Sequence, residues 1–451
     1  MPSHGTQPDP SQASFFAWMR ESKIRCPKCG IKIFEETGRG VVALEPIREG
    51  EIVVEVPDDF VLWEETSMIS SYLREKGLVR EEGRLPEFLG LVVAVMHEKY
   101  LGDQSRWGPY MDFLPDSVDD LPFAWSEREL ESLVGTSVLD KMDPPWERCD
   151  LEPPCQVDFW YDEIVKPFAR RERNIGFPRG ARRKKLYLWA TGVVSSYAFT
   201  LGDEKLLGIV PMWDMLNHVS GKCNVRLNHC EERGVLQMIA SQNIAEGSEV
   251  INSFGALSNS ELLRFYGFVE PHVNPPIDCV ELCIWEVIEK LVQTKEEVIK
   301  TPTDRLEFLH VHGLMPNNGW FKIIPGKGPP IELTECLRVV TLPQTKFEEL
   351  KEKVENWRFP KVRPMNRVTE HDFGIDVSKF LLGIVKFKVK AIRRSLSEGQ
   401  LEGNQRVGMA MVVCQSEQNA WKSLKKWLVA GESQAELWQH PRRAWSQIRD
   451  R

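Results

Sequence analysis

Short runs rich in Val and Ile fall in two separate blocks of this chain, and helical periodicity fills the space between and after them. The first block holds Ile31–Phe34, Gly40–Leu44 and Glu51–Val56. Turn-like GRG and EPIREGE sequences divide these runs, so the block predicts a small antiparallel meander. The second block holds Leu207–Trp213, Val225–Leu227, Leu236–Ala240 and Glu249–Ile251, read as strands. This β–α–β–α order implies an α+β protein: one β-rich unit interrupted by a helical insertion, then a helical C-terminal domain. The expected divisions are a disordered tail (1–13), a first β part (14–63), the insertion (64–200), a second β part (201–275) and a helical domain with its tail (276–451).

Several helices are readable within this frame. Residues 14–23 place Phe15, Phe16, Trp18 and Met19 on one side. Leu85–Leu101 is apolar nearly all round, as a buried helix is. Ser126 and Glu129 have the spacing of a capping box. Leu186–Phe199 is a helix or a buried strand. Ser258–Tyr266 opens with good capping residues, and Lys346–Trp357 and Ser416–Leu428 are charged and amphipathic.

Composition narrows the function classes. The 451 residues carry 58 Lys plus Arg against 66 Asp plus Glu, a net charge of −8. That balance does not suit a dedicated DNA binder, which usually has a basic domain. No run approaches the roughly 20 apolar residues of a membrane helix. Ten cysteines are too few for a disulfide scaffold of this length. The first residues contain no apolar segment of the secretory type, so nucleus or cytoplasm is the expected compartment.

Single motifs stay ambiguous. Cys26 and Cys29 form half of a zinc site, or are reduced cysteines beside a turn. Residues 170–185 carry eight Lys or Arg. That run suits a nuclear import signal, a phosphate-binding patch, or a solvated loop and helix start. Gly38-Arg39-Gly40 is a hairpin turn or a close backbone approach to a nucleotide-like ligand. Rossmann and P-loop fingerprints are missing from the sequence. Asp214-Met-Leu-Asn217-His218 ends a strand-like run, and no Ser or Cys nucleophile partner is announced by spacing.

Taken in order, the pieces resemble the SET-domain protein-lysine methyltransferases of the Rubisco large-subunit methyltransferase-like subgroup. The likeness rests on GRGVVALEPIREGEIVVEVP (38–57), SRWGPYMDFLP (105–115), LPFAWSERELESLVGT (121–136), IVPMWDMLNH (209–218) and GSEVINSFG…NSELLRFYGFVEP (247–271). Residues from about 290 to 430, with SEQNAWKSLKKWL (416–428), look like the family's helical substrate-binding domain. The resemblance implies a β-rich SET fold with a helical insertion, followed by an all-helical C-terminal substrate-binding domain.

It further implies S-adenosylmethionine as cofactor and a protein-lysine N-methyltransferase activity on a non-histone, ribosomal or nuclear protein. Gly38, Arg39, Gly40, Asn217 and His218 would bind the cofactor, with Tyr266 at the same pocket. Phe254 and Tyr266 would take the catalytic positions. Tyr197, Trp213, Asp214 and Phe254 would meet the substrate. The Asn217 strand and the 251–256 loop would form the family's threaded pseudoknot, an exception to unthreaded connections. No metal, membrane or nucleic-acid partner is implied, and the expected state is a monomer.

One position departs from the family pattern. Phe254 stands where the family carries a tyrosine before the glycine of the last motif. Losing one hydrogen bond of that kind costs about 1–3 kcal/mol, a rate loss of roughly five- to 150-fold. Two alternatives follow: a catalytically weakened SET-fold adaptor, or a protein-histidine methyltransferase, whose imidazole acceptor is already largely neutral near pH 7. The run after Asn217-His218 also lacks the Ser-Cys common in SET proteins, and no cysteine-rich flank follows residue 255 at zinc-site spacing.

Overall fold

The computed structural model describes residues 10–75, 87–142, 157–172, 175, 177–202, 206–270, 278–288, 302–313, 315–316, 319–355, 377–398 and 403–431. Expectations for residues 1–9, Leu85, Pro86, Arg173, Pro271, Trp357 and the end of the chain beyond 431 lie outside these residues. The chain divides into two compact units. The first draws on Met1–Trp125, Pro153–Leu257 and Leu262–Pro276; the second on Ser126–Glu152, Ser258–Glu261 and Ile277–Arg451.

In the first unit, β1 (Cys29–Phe34) and β2 (Gly38–Ala43) form an antiparallel hairpin, but the turn is Glu35–Thr37, and GRG, expected as a turn, is the paired start of β2. The third run, β3 (Ile52–Pro57), does not continue a meander. It pairs instead with β8 (Val235–Ala240) across the helical insertion, and β8 pairs with β7 (Val225–Cys230). The physical reason is burial on both faces. All six residues of β8 are buried, so it needs a partner strand on each edge and cover on each side. Between these, β4 (Ala198–Leu201) and β5 (Leu206–Ile209) pair antiparallel. The expected strand through Trp213 stops at Ile209, and Trp213–Met215 form a 3-10 turn. Met212 begins that turn at φ +73, a conformation no strand can hold.

The remaining strands build the site. β9 (Glu249–Asn252) pairs antiparallel with β2 and parallel with β6 (Asn217–His218), giving the sheet order β1-β2-β9-β6. The registers place Asn217 opposite Ile251 and His218 opposite Asn252. Asn224 locks this arrangement: its amide accepts from Ile251 N–H at 2.8 Å and donates to the Glu249 carbonyl at 3.0 Å.

Helices cover the sheets. Glu87–Leu101 is buried from Phe88 to Glu98 without a break, as its all-round apolarity requires. Ala181–Tyr197 resolves the open helix-or-strand choice as helix, with β4 following directly. The first helix runs Pro10–Glu21, four residues before the expected start, so positions 10–13 are not tail. Ser11 and Gln12 carry no apolar period of their own. The docking of Phe15, Trp18 and Met19, all buried, extends the helix backwards through them.

In the second unit, Ser126 and Glu129 form the capping box, with both reciprocal bonds present. Helices Pro302–Val311, Ile331–Thr341, Gln344–Glu355, Val377–Glu398 and Gln405–Gly431 make up most of its described residues. It is not wholly helical: β10 (Val280–Cys283) and β11 (Trp320–Ile323) pair antiparallel. Runs of four buried residues have no readable period, and their pairing is long-range.

Candidate active site

The GRG segment at the start of β2 sets the first wall. Gly38 takes φ +76, which a side chain would strain. Gly40 is extended but tightly enclosed: a Cβ there would lie 2.5 Å from Asn217 Nδ2 and 2.6 Å from Glu249 Oε1. Those two groups hold each other. Asn217 Nδ2 donates to Glu249 Oε1 at 2.8 Å and to the Arg39 carbonyl at 3.2 Å. The Thr37 hydroxyl donates to the same carboxylate at 2.8 Å. Two acceptors fix the nitrogen side of the Asn217 amide, which assigns its orientation. The amide oxygen makes no hydrogen bond among the described residues and remains an acceptor for an incoming ammonium-like donor.

His218 follows on the same strand. Its Nδ1 accepts from the Phe254 backbone N–H at 3.2 Å, so Nε2 carries the proton and faces Ser220 Oγ at 3.3 Å. Burial pushes its pKa below the ordinary value, which keeps the ring neutral at pH 7. The ring stacks on Phe254 (5.2 Å between centroids, 21°), and Phe254 stacks on Tyr266 (4.6 Å, 27°). Tyr266 sits at the end of helix Asn259–Tyr266, which begins at the Ser258–Glu261 capping pair. The Ser195 and Ser196 hydroxyls both donate to the Phe265 carbonyl, at 3.0 and 2.9 Å. This ties the helix end bearing Tyr197 to the segment bearing Tyr266.

A second cluster surrounds Asp214. This residue is buried, and its Oδ2 accepts from the Tyr110 hydroxyl at 2.5 Å. Its Oδ1 has no hydrogen-bond partner among the described residues. Burial raises the Asp214 carboxyl to about 7, against the lowering effect of the Tyr110 bond and the Arg39 charge. Tyr110 is pushed well above the usual phenol value by burial and by Asp214. Tyr197 is raised for the same two reasons. Arg39 acts electrostatically on both Asp214 and Tyr197, and its guanidinium lies 4.6 Å over the Phe113 ring. Arg39 therefore joins the two clusters, through its carbonyl to Asn217 and its charge to Asp214. Trp213 is fully buried and meets Phe199 edge-on at 5.8 Å.

Gly38, Arg39, Gly40, Asn217, His218, Phe254 and Tyr266 thus come together, and Tyr197 and Asp214 share the adjoining cluster. Trp213 lies behind them in the core. Tyr110, Thr37 and Glu249 escaped the sequence reading. Tyr110 lay within the quoted SRWGPYMDFLP motif and Glu249 within GSEV, but nothing local marks either as a site residue. Burial pushes the Cys26 thiol up to about 11 and Cys29 up to about 12, so both are protonated. Among the described residues no group of three or more His, Cys, Asp or Glu is placed to hold a metal ion.

Three comparisons bear on this geometry. The SET domain family model matches residues 38–255. The N-lysine methyltransferase SETD6 of Mus musculus is 30% identical over 370 residues, covering 78% of this chain and 74% of that protein. Its Homo sapiens counterpart is 31% identical over 333 residues, covering 70% and 66%. Among solved structures, the SET domain of LSMT bound to lysine and AdoHcy superposes with a TM-score of 0.69 at 19% identity, covering 96% of this chain and 94% of that one. Rubisco LSMT bound to AdoMet gives 0.67 at 19% identity. At that identity the likeness establishes the SET fold.

Proposed function

This chain belongs to the SET-domain protein-lysine methyltransferases, and from that premise we propose a role for each group in its site. The protein is an S-adenosylmethionine-dependent protein-lysine N-methyltransferase. The observation that carries the assignment of roles is the Asn217 amide. Its nitrogen is pinned by Glu249 and Arg39, its oxygen makes no hydrogen bond among the described residues, and the next residue, His218, opens a His218–Phe254–Tyr266 aromatic stack.

The residues present fit the cofactor. An amide oxygen without a partner suits the ammonium of an amino-acid moiety, and stacked rings suit a purine and a cationic sulfur. Gly38, Arg39, Gly40, Asn217 and His218 would hold it, with Tyr266 at the same pocket. When bound, S-adenosylmethionine supplies a methyl group on a cationic sulfur, open to in-line attack by a neutral amine.

The chain's own work is then alignment and deprotonation. A lysine amine has a reference pKa of about 10.4, so roughly one in two thousand is neutral at pH 7. The half-buried Phe254 and Tyr266 rings offer an apolar wall that favours the neutral amine. Asp214 Oδ1, buried and without a partner, offers an acceptor for the amine's hydrogens. The half-buried Tyr197 gives the entry its shape, whereas Trp213, expected to meet the substrate, is fully buried. Phe254 holds the His218 tautomer through its backbone N–H but brings no hydroxyl of its own. The reaction rests on proximity and desolvation, with no covalent intermediate on the enzyme.

The substrate we assign is a non-histone protein of ribosomal or nuclear origin, gripped by the mainly helical second unit, with the enzyme working as a monomer in nucleus or cytoplasm. In support of the compartment, the eight cysteines described all carry free thiols, and no described helix is long and apolar enough to cross a membrane. The test is transfer of labelled methyl from S-adenosylmethionine to a protein extract, followed by amino-acid analysis. Label in methyl-lysine supports the reading. Label only in methyl-histidine, or none at all despite calorimetric binding of S-adenosylhomocysteine, refutes it.

A further inference from the structure

The basic run at 170–185 has no part in the site above, yet the fold gathers it into a cavity. A cleft of about 740 Å³ opens between the π-helical turn Tyr161–Val165, the helix Lys166–Arg171 and the start of helix Ala181–Tyr197. It shares no lining residue with the methyl-transfer site. Among the described residues Lys166, Arg170, Arg179, Arg183 and Lys184 line it, against one carboxylate, Asp162. Small-molecule sites are concave and typically of this volume, whereas a merely solvated charged face is not.

Among the described residues two of the five cations make no hydrogen bond or ion pair, and a third makes one through Nε alone. Lys166 pairs with Asp162 at 2.6 Å and Lys184 with Asp158 at 2.8 Å. Arg170 and Arg179 are exposed and make no hydrogen bond or ion pair among the described residues. Arg183 is the telling group, because it is only 6% exposed. Its Nε donates to the Pro178 carbonyl at 2.8 Å, and its two terminal amino groups have no partner among the described residues.

The backbone adds to the same field. Gly180 caps the helix at φ +60 and has no side chain to accept from its first turn. The N–H groups of Arg183 and Lys184 turn back to the Gly180 carbonyl at 3.1 and 3.3 Å. Those of Ala181 and Arg182 have no such partner, and they stand at the positive end of a 17-residue helix. Asp162 registers the field: its carboxyl is held below the ordinary range by the Lys166 bond, with Lys184 and Arg170 adding to it.

We propose that this cleft binds a soluble polyphosphate, a compact solute carrying two or more phosphoryl groups. Planar guanidinium groups match phosphoryl oxygens two at a time, and three of them line one concavity here. A single-stranded nucleic acid would need an exposed aromatic platform. Among the described residues the one ring lining the cleft, Tyr161, is 6% exposed. Arg183 and the helix N-terminus form the floor, and Arg170 and Arg179 close over the outer phosphoryl.

Isothermal titration calorimetry of the full chain with tripolyphosphate, pyrophosphate and inorganic phosphate tests this. Tripolyphosphate is expected to bind at least tenfold tighter than inorganic phosphate, with affinity falling as salt rises. The Arg170→Glu/Arg179→Glu double variant changes only exposed side chains, and unchanged binding of S-adenosylhomocysteine verifies its fold. It should lose tripolyphosphate affinity at least tenfold. Undiminished binding by the variant, or equal affinity for all three anions, overturns the proposal. So does tighter binding of a single-stranded oligonucleotide or a singly phosphorylated peptide than of tripolyphosphate.

Discussion

Replacing Asp214 by Asn removes a titration without removing the acceptor that Tyr110 uses, and its consequence can be worked out in advance. The folded Asp214 carboxyl titrates at about 7, raised from 3.8 by burial. A carboxyl raised on folding favours the folded state only while it is protonated. Below about pH 3.8 both states hold the proton and there is no penalty. Between 3.8 and 7 the unfolded chain ionises and the folded one does not, so stability falls as pH rises. Above about pH 7 the penalty is constant. Three pK units correspond to a full penalty of about 4 kcal/mol at most. By the same relation the penalty is about 1.7 kcal/mol at pH 5 and about 4 kcal/mol at pH 8. Asp214→Asn carries no such penalty at any pH. It should therefore gain roughly 2–3 kcal/mol on the wild type between pH 5 and pH 8. Urea unfolding of both proteins at the two pH values, followed by tryptophan fluorescence, measures this difference. A wild-type-to-variant gap that stays the same at both values would refute the buried, neutral carboxyl and the account of the Tyr110–Asp214 pair built on it.

Three other outcomes are expected. Gly40→Ala places a methyl within 2.6 Å of both Asn217 Nδ2 and Glu249 Oε1. Overpacking of that kind costs about 1–3 kcal/mol, so S-adenosylhomocysteine affinity should drop by roughly tenfold or more in calorimetry while the thermal midpoint falls by a few degrees. Phe254→Tyr restores the hydroxyl that the family pattern carries, and single-turnover methyl transfer should rise by roughly five- to 150-fold, with cofactor affinity little changed. Lys141 pairs with Glu281 at 2.6 Å with both side chains 6% exposed. Lys141→Ala strands that carboxylate and should destabilise the second unit by about 3–5 kcal/mol, read by hydrogen exchange, whereas Lys141→Met with Glu281→Leu should recover most of the loss.

Local chemistry is what the sequence alone determined. The Ser126–Glu129 and Ser258–Glu261 caps, the pairing of β1 with β2 and the buried helix around residues 88–98 each follow from neighbours a few positions apart. The motif order also placed Asn217, His218, Phe254 and Tyr266 in one family site, and the fold brings those four together.

Long-range partnership was decided only by the tertiary structure. β3 leaves its hairpin neighbours for β8, because an all-buried strand needs company on both edges and periodicity does not say from where. Tyr110 meets Asp214 across 104 positions, and no spacing rule reaches that far. The C-terminal strands β10 and β11 escaped notice because four buried residues look alike as helix or strand until a partner is found. The basic run at 170–185 read as a nuclear import signal, a phosphate-binding patch or a solvated loop and helix start. Only the fold shows that Arg170, Arg179, Arg183 and Lys184 line one cleft, which depends on how two helices meet and not on the residues beside them.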